Sequence, residues 1–208
     1  MTYLIGILLL VLWVWLLTVL RKAGLVFWRY IAGSCGIFLF LMVFIRPVMT
    51  LPLARVVAAL SGLIGRVTGF YEAYYRYGVI FIDSLKGSIT VNIDLECSGI
   101  IEIAAFLSLI VFFSVYTIPE RVYIGVIGTM YTLITNAIRI TIICVMIHFL
   151  GSEYFYIAHT LVGRIVFYLF QVLLYFFIFT RAQIRRMKTG GFGYSKSGKA
   201  EGEVADGQ

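Results

Sequence analysis

Five stretches of this chain are apolar over lengths close to the roughly 20 residues that a helix needs to cross a bilayer, and most of them end on arginine or lysine. The first runs from Tyr3 to Leu20 and stops at Arg21-Lys22; the second runs from Tyr30 to Ile45 and ends at Arg46-Pro47. A third begins near Ser98, continues to Tyr116, and is closed by Ile118-Pro119-Glu120-Arg121. A long run from Val122 to Leu150 comes next, and the last extends from about Thr160 to Thr180. The whole chain is 62% apolar and 13% charged, where soluble domains carry about 25% charge. A protein of this size has too much surface for its volume to hide that much apolar material from water. Lipid supplies the missing cover.

The first span is read as a retained helix: no basic region precedes the run, and no small-residue cleavage site comes after it. Proline removes a backbone donor, so Pro47 predicts the end of the second helix. The run from Val122 to Leu150 exceeds one crossing and leaves a broken or re-entrant helix open. The net charge of +7 does not mark a nucleic-acid binder, because the basic residues sit at the ends of apolar runs rather than on one patch. Arg21, Lys22 and Arg29 lie between the first two spans, Arg121 lies after the third, and Arg181, Arg185, Arg186 and Lys188 lie after the last. Placing all three clusters in the cytoplasm requires an outside N terminus, five crossings and a cytoplasmic C terminus. Residues 1–188 form a single integral membrane domain on this reading. Residues 189–208, rich in Gly, Lys and Glu, form a disordered cytoplasmic tail.

The segment between Arg46 and Glu96 then lies outside. Leu51 to Phe70 is apolar, with Arg55 and Arg66 eleven residues apart and therefore on one helical face, the pattern of an interfacial helix. The block from Tyr71 to Tyr77 has the composition of an interfacial aromatic belt. Val79–Asp83 and Ser88–Ile93 are β-branched runs around Ser84-Leu85-Lys86-Gly87, which predicts a β-hairpin leading directly to Cys97. The expected fold is an all-α polytopic membrane protein with an outside interfacial helix and a short hairpin before the third span.

Few residues in such a chain can do chemistry. Cys35 and Cys144 lie inside apolar runs and read as small buried hydrophobes. Cys97 instead sits in Glu96-Cys97-Ser98-Gly99, where a hairpin ends and a helix begins. A helix N terminus stabilises a thiolate, while the neighbouring Glu96 opposes it. Arg139 lies seventeen residues past Val122, about 26 Å up a helix and so near the outer edge of a core about 30 Å thick. A snorkelling arginine is the plain reading; Asn136, one turn below, faces the same way. His159 precedes the last span and falls at the same edge, whereas His148, nine residues beyond Arg139, points to the other face. A thiol, an acid/base and a fixed cation at one depth form a set suited to acyl transfer. One Cys and two His lack the spacing of a zinc motif.

Cys97-Ser98-Gly99-Ile100, Asn136-Ala137-Ile138-Arg139-Ile140 and His159, all on outer helix ends, resemble the exosortase/archaeosortase family of membrane cysteine transpeptidases. The resemblance runs from about Val79 to Thr180 and is similar to the compact exosortase-like proteins of Gram-positive bacteria. It implies that Cys97, Arg139 and His159 are catalytic, that no cofactor is needed, and that the active site faces outward from a bacterial cell membrane. The implied partner is an exported protein whose C terminus carries a recognition motif, a transmembrane helix and a basic cluster. Two features depart from longer members: several N-terminal helices are missing, and Arg164 comes directly after Gly163, beyond the histidine. A non-catalytic transporter subunit or surface-polymer assembly factor is the rival reading, with Arg139 and Arg164 paired to Glu102 or Glu153. A thiol oxidoreductase is disfavoured because no second cysteine lies near Cys97. The topology is tested by reporter fusions, expected to place Lys86 outside and Arg121 inside; the opposite result contradicts the orientation.

Overall fold

The computed structural model describes residues 2–84, 87–93 and 97–184. The expected tail at 189–208 lies outside the described residues, as do Lys86 and Glu96. The first helix, α1 (Thr2–Lys22), ends on Arg21 and Lys22 as its apolar run predicts. The chain turns at Gly24, whose φ of 70° lies in the left-handed region that suits glycine, and returns as α2 (Val26–Phe40). The Trp13 indole donates to the Ala32 carbonyl at 2.9 Å.

Pro47 does not end this helix. A π-helical segment, Leu41–Ile45, carries α2 directly into α3 (Arg46–Thr68), giving one continuous helix from Val26 to Thr68. In the π turn the Arg46 N–H reaches back to the Leu41 carbonyl. This wider step adjusts the backbone just before the residue that has no donor, and proline is tolerated in the first turn of α3. The 43 residues measure about 65 Å, more than twice the thickness of the hydrocarbon core. One end must therefore run well past the lipid.

α3 is the half of this helix that packs against a sheet. The helix expected over Leu51–Phe70 is present, ending at Gly69 with φ 73°, and Arg55 and Arg66 are both exposed. Its other face is a buried stripe of Ala54, Val57, Ala58, Ser61, Gly62 and Gly65. Small side chains let a sheet approach closely. The expected hairpin forms from β2 (Val79–Ser84) and β3 (Gly87–Asn92), antiparallel, with Val79 opposite Asn92 and Ser84 opposite Gly87. The tyrosine block read as an aromatic belt contributes a third strand, β1 (Tyr71–Tyr74), paired with β2 so that Tyr71 faces Ile82. Tyrosine favours strands as well as interfaces, and here packing against α3 selects the strand. The buried Tyr71 hydroxyl donates to the Ser61 carbonyl at 2.7 Å and meets the Thr141 hydroxyl at 3.0 Å. Burial raises the Tyr71 phenol above the ordinary value, so the donor keeps its proton.

The third apolar run is shorter as a helix than its sequence suggests. α4 (Ile100–Phe112) has 13 residues, about 20 Å, which falls short of the core; residues 113–117 complete the return to α5 (Ile118–Leu150). A capping box opens α5, with the Thr117 N–H donating to Glu120 at 2.8 Å. α5 is one unbroken helix of 33 residues, so the long run is neither broken nor re-entrant. The last helical stretch runs from Ser152 to Ile184, with π turns at Ile157–Val162 and Phe176–Thr180 flanking α6 (Gly163–Tyr175). It starts eight residues before the expected Thr160, because Gly151 ends α5 and the chain turns at once into the next helix.

Among the described residues, three helices are long and apolar enough to cross a membrane: Val26–Thr68, Ile118–Leu150 and Ser152–Ile184. The protein is a mostly helical, multi-pass membrane protein with one small sheet. Its densest packing lies where α3, the sheet and the second half of α5 meet, around Val57, Ile80, Ile82, Ile143 and Ile147, all fully buried. Elsewhere Leu9, Leu12, Phe27 and Leu39 are exposed, a surface suited to lipid. The α3–sheet seam is tested at Gly65, where a Cβ would lie 2.6 Å from the Tyr71 carbonyl oxygen. Gly65→Ala should lower stability by about 1–3 kcal/mol through overpacking, while Gly6→Ala, with nothing within 4 Å, should not. Thermal midpoints of the detergent-solubilised proteins measure both.

Candidate active site

Cys97 lies two residues before the N-cap of α4, in a turn closed by Gly99 at φ 75°. Glycine is required there twice over. The conformation is left-handed, and a Cβ would sit 3.2 Å from the Asn136 amide nitrogen. The Ile100 N–H donates to Ser98 Oγ at 3.4 Å. The turn is anchored from across the protein: Asn136 Nδ2 donates to the Cys97 carbonyl at 2.6 Å. Asn136 is fully buried, and its Oδ1 has no hydrogen-bond partner among the described residues.

Arg139 lies nearly one helical turn beyond Asn136 on α5. It is 3% exposed, which overturns the snorkelling reading: the guanidinium is inside the protein. Its Cζ stands 5.6 Å from the centre of the Phe167 ring on α6, a cation–π contact. Arg139 thus joins α5 to α6.

His159 lies inside the last helical stretch, in the π turn Ile157–Val162, not ahead of it. Gly163 lets this turn press on α5, since a Cβ there would meet Ile143 at 2.8 Å. The π geometry adds a residue to the turn and re-aims the side chains, a device common at functional sites. His159 Nε2 lies 2.9 Å from Cys97 Sγ. Phe155, one turn earlier, stacks on the imidazole with ring centres 5.6 Å apart and planes 15° from parallel. Which of the two atoms carries the proton depends on the tautomer; either arrangement couples thiol and imidazole.

The structure therefore brings Cys97 and His159 into direct contact, with Asn136 against the same turn and Arg139 buried one helical turn further along α5. His148 is elsewhere, its ring 4.9 Å from that of Phe70. Cys144 is buried as expected; Cys35 is exposed on α2, because its side of the helix faces outward rather than toward a neighbour. Cys97 Sγ belongs to a residue only 1% exposed, so the sulfur is covered. Two contributors escape sequence reading: Phe155, whose only signal is its spacing of four from His159, and Gly99, whose signal is its place between a cysteine and a helix.

A family model described as transmembrane exosortase (Exosortase_EpsH) matches residues 1–176, extending well ahead of the region over which the sequence motifs lie. No curated protein and no solved structure matches the chain.

The role of Asn136 is tested by thiol reactivity. In a Cys35→Ser, Cys144→Ser background, the covered Cys97 should react slowly with a maleimide. Asn136→Ala removes the anchor and should raise that rate roughly fivefold to tenfold, the weight of one lost hydrogen bond. An unchanged rate means that the amide does not hold the turn.

Proposed function

This chain belongs to the transmembrane exosortase family, and from that premise we propose that it is a cysteine transpeptidase acting at Cys97, with His159 as acid/base and Arg139 as the stabilising cation. Membership of the family implies a membrane cysteine transpeptidase in general; the residues and steps are our own reading. The observation that supports it most is the 2.9 Å contact between Cys97 Sγ and His159 Nε2, since a nucleophile and its base must stand within hydrogen-bond reach.

The thiolate attacks the scissile carbonyl carbon of an exported protein. The carbonyl oxygen takes the electron pair, and Arg139 stabilises that oxyanion or the thiolate before it. His159 delivers the proton to the departing amine as the C–N bond breaks, leaving a thioester on Cys97. An incoming amine or water then loses a proton to His159, attacks the thioester, and releases the sulfur. Cys97 being covered in the resting protein is consistent with a site that opens to the substrate segment and keeps bulk water from the thioester.

The substrate class implied is a protein ending in a short recognition motif, a transmembrane helix and a basic cluster. Its scissile bond would lie at the membrane surface where the helix begins. In this reading the chain crosses five times in a bacterial cell membrane, through α1, α2, α4, α5 and the last helix. The N terminus lies outside, and α3, the sheet and the end of α5 stand outside with the site.

The test measures release of the C-terminal tag from an exported reporter bearing such a signal, in membranes containing the full chain. Cys97→Ser should abolish release while the protein stays folded. Arg139→Lys should lose about 10²–10³-fold, because a point charge cannot reproduce the planar fork. His148→Ala, Cys35→Ala and Cys144→Ala should retain turnover. Full activity in Cys97→Ser sinks the proposal and favours a non-catalytic membrane protein.

A further inference from the structure

At the far end of α4 from Cys97, three arginines converge on one cleft of about 360 Å³. Arg21 comes from the end of α1, Arg29 from the start of α2, and Arg121 from the start of α5, with Thr18 and Ser114 adding hydroxyls to the lining. Arg29 and Arg121 are half-buried. Among the described residues no acid lines the cleft, and the nearby Glu120 carboxylate is turned to the Thr117 N–H and hydroxyl. Arg121 is held in place by donating to the carbonyls of Tyr116 at 2.9 Å and Val111 at 2.6 Å. Three like charges gathered without a carboxylate repel one another unless an anion joins them.

A second cleft, about 550 Å³, adjoins the first and shares Val111 and Arg121 with it. It runs between α4 and α5 and is apolar, lined by Leu107, Ile110, Val122, Val126 and Met130. Gly125 leaves room for it, its missing Cβ facing Leu107 at 3.4 Å. The combination is a cationic head site continuous with an apolar slot. It does not suit a substrate helix: a helix about 10–12 Å across would fill this volume in about one turn, and the basic cluster of a sorting signal would meet three arginines.

We propose that the two clefts together hold one anionic phospholipid, its phosphodiester on Arg21, Arg29 and Arg121 and an acyl chain between α4 and α5. Basic pockets between membrane helices are suited to such head groups, and guanidinium forks match phosphate oxygens in pairs. A zwitterionic lipid carries the same phosphate but adds a cation that the arginines repel, so the site discriminates by net charge. The site lies at the opposite end of α4 from the cysteine turn and holds whether or not the chain is a transpeptidase.

The full chain in detergent is titrated with dioleoyl phosphatidylglycerol, with dioleoyl phosphatidylcholine and with inorganic phosphate, tracking bound lipid by native mass spectrometry and stability by thermal midpoint. Phosphatidylglycerol should bind and raise the midpoint, and the other two should have little effect. Arg29→Gln should weaken that binding about fivefold and Arg21→Gln with Arg29→Gln about fivefold more, the weight of one surface guanidinium each. Both variants leave Arg121 and its two carbonyl bonds intact. Arg55→Gln with Arg66→Gln removes the same charge from exposed positions on α3 and should leave binding unchanged. Equal binding of the two lipids overturns the proposal, as does an equal loss in the α3 variant. Stabilisation by inorganic phosphate as large as that by lipid also overturns it, by showing a free-anion site.

Discussion

A polar side chain inside a membrane helix must find its partner within the protein, because lipid offers none. In this chain the Asn136 amide N–H finds one by donating across to the Cys97 carbonyl at 2.6 Å. The bond ties α5 to the turn that precedes α4, and the turn carries the thiol. Gly99 makes the approach possible by having no side chain where the amide sits. With the turn held by its backbone, the cysteine sulfur is turned to the His159 imidazole at 2.9 Å. The contact between Cys97 and His159 thus rests on a buried amide outside that pair.

The second constraint is length. Val26–Thr68 and Ile118–Leu150 both exceed what a bilayer core requires, and α3 and α5 pack on each other and on the three-stranded sheet. That packing forms a core of the kind found in soluble proteins, with Val57, Ile80, Ile143 and Ile147 wholly buried. The site lies at the junction of this core with the membrane helices, and Cys97 belongs to the same buried cluster. A rigid cap on long helices can hold a thiol and an imidazole from distant parts of the chain in register, which a loop at a membrane surface could not do.

Much of this arrangement is legible from residues alone. The apolar runs with basic ends mark the helices, the β-branched runs about Gly87 mark the hairpin, and two of the three separated polar motifs, those of Cys97 and His159, meet in the structure. The illegible part depends on partners distant in sequence. Pro47 reads as a stop because nothing local announces the π turn that carries the helix past it. The strand at Tyr71–Tyr74 goes unread because the small-residue face of α3, against which it packs, is recognisable only once the two are together. Arg139 reads as a snorkelling residue because its depth is computable from spacing while its burial against Phe167 is not. His159 reads as preceding the last helix because its π turn depends on how closely Gly163 approaches Ile143, which the local sequence does not announce.

The claim that Cys97 is the nucleophile is tested most directly by capturing its acyl intermediate. The full-length protein is mixed with a tagged substrate segment, quenched in acid within the first turnover, digested, and the Cys97 peptide is weighed. The account predicts a mass gain on Cys97 equal to the N-terminal product of the cleavage, released by hydroxylamine as a thioester is. Substrate cleavage that proceeds with Cys97 unmodified, or with the adduct on another residue, contradicts it.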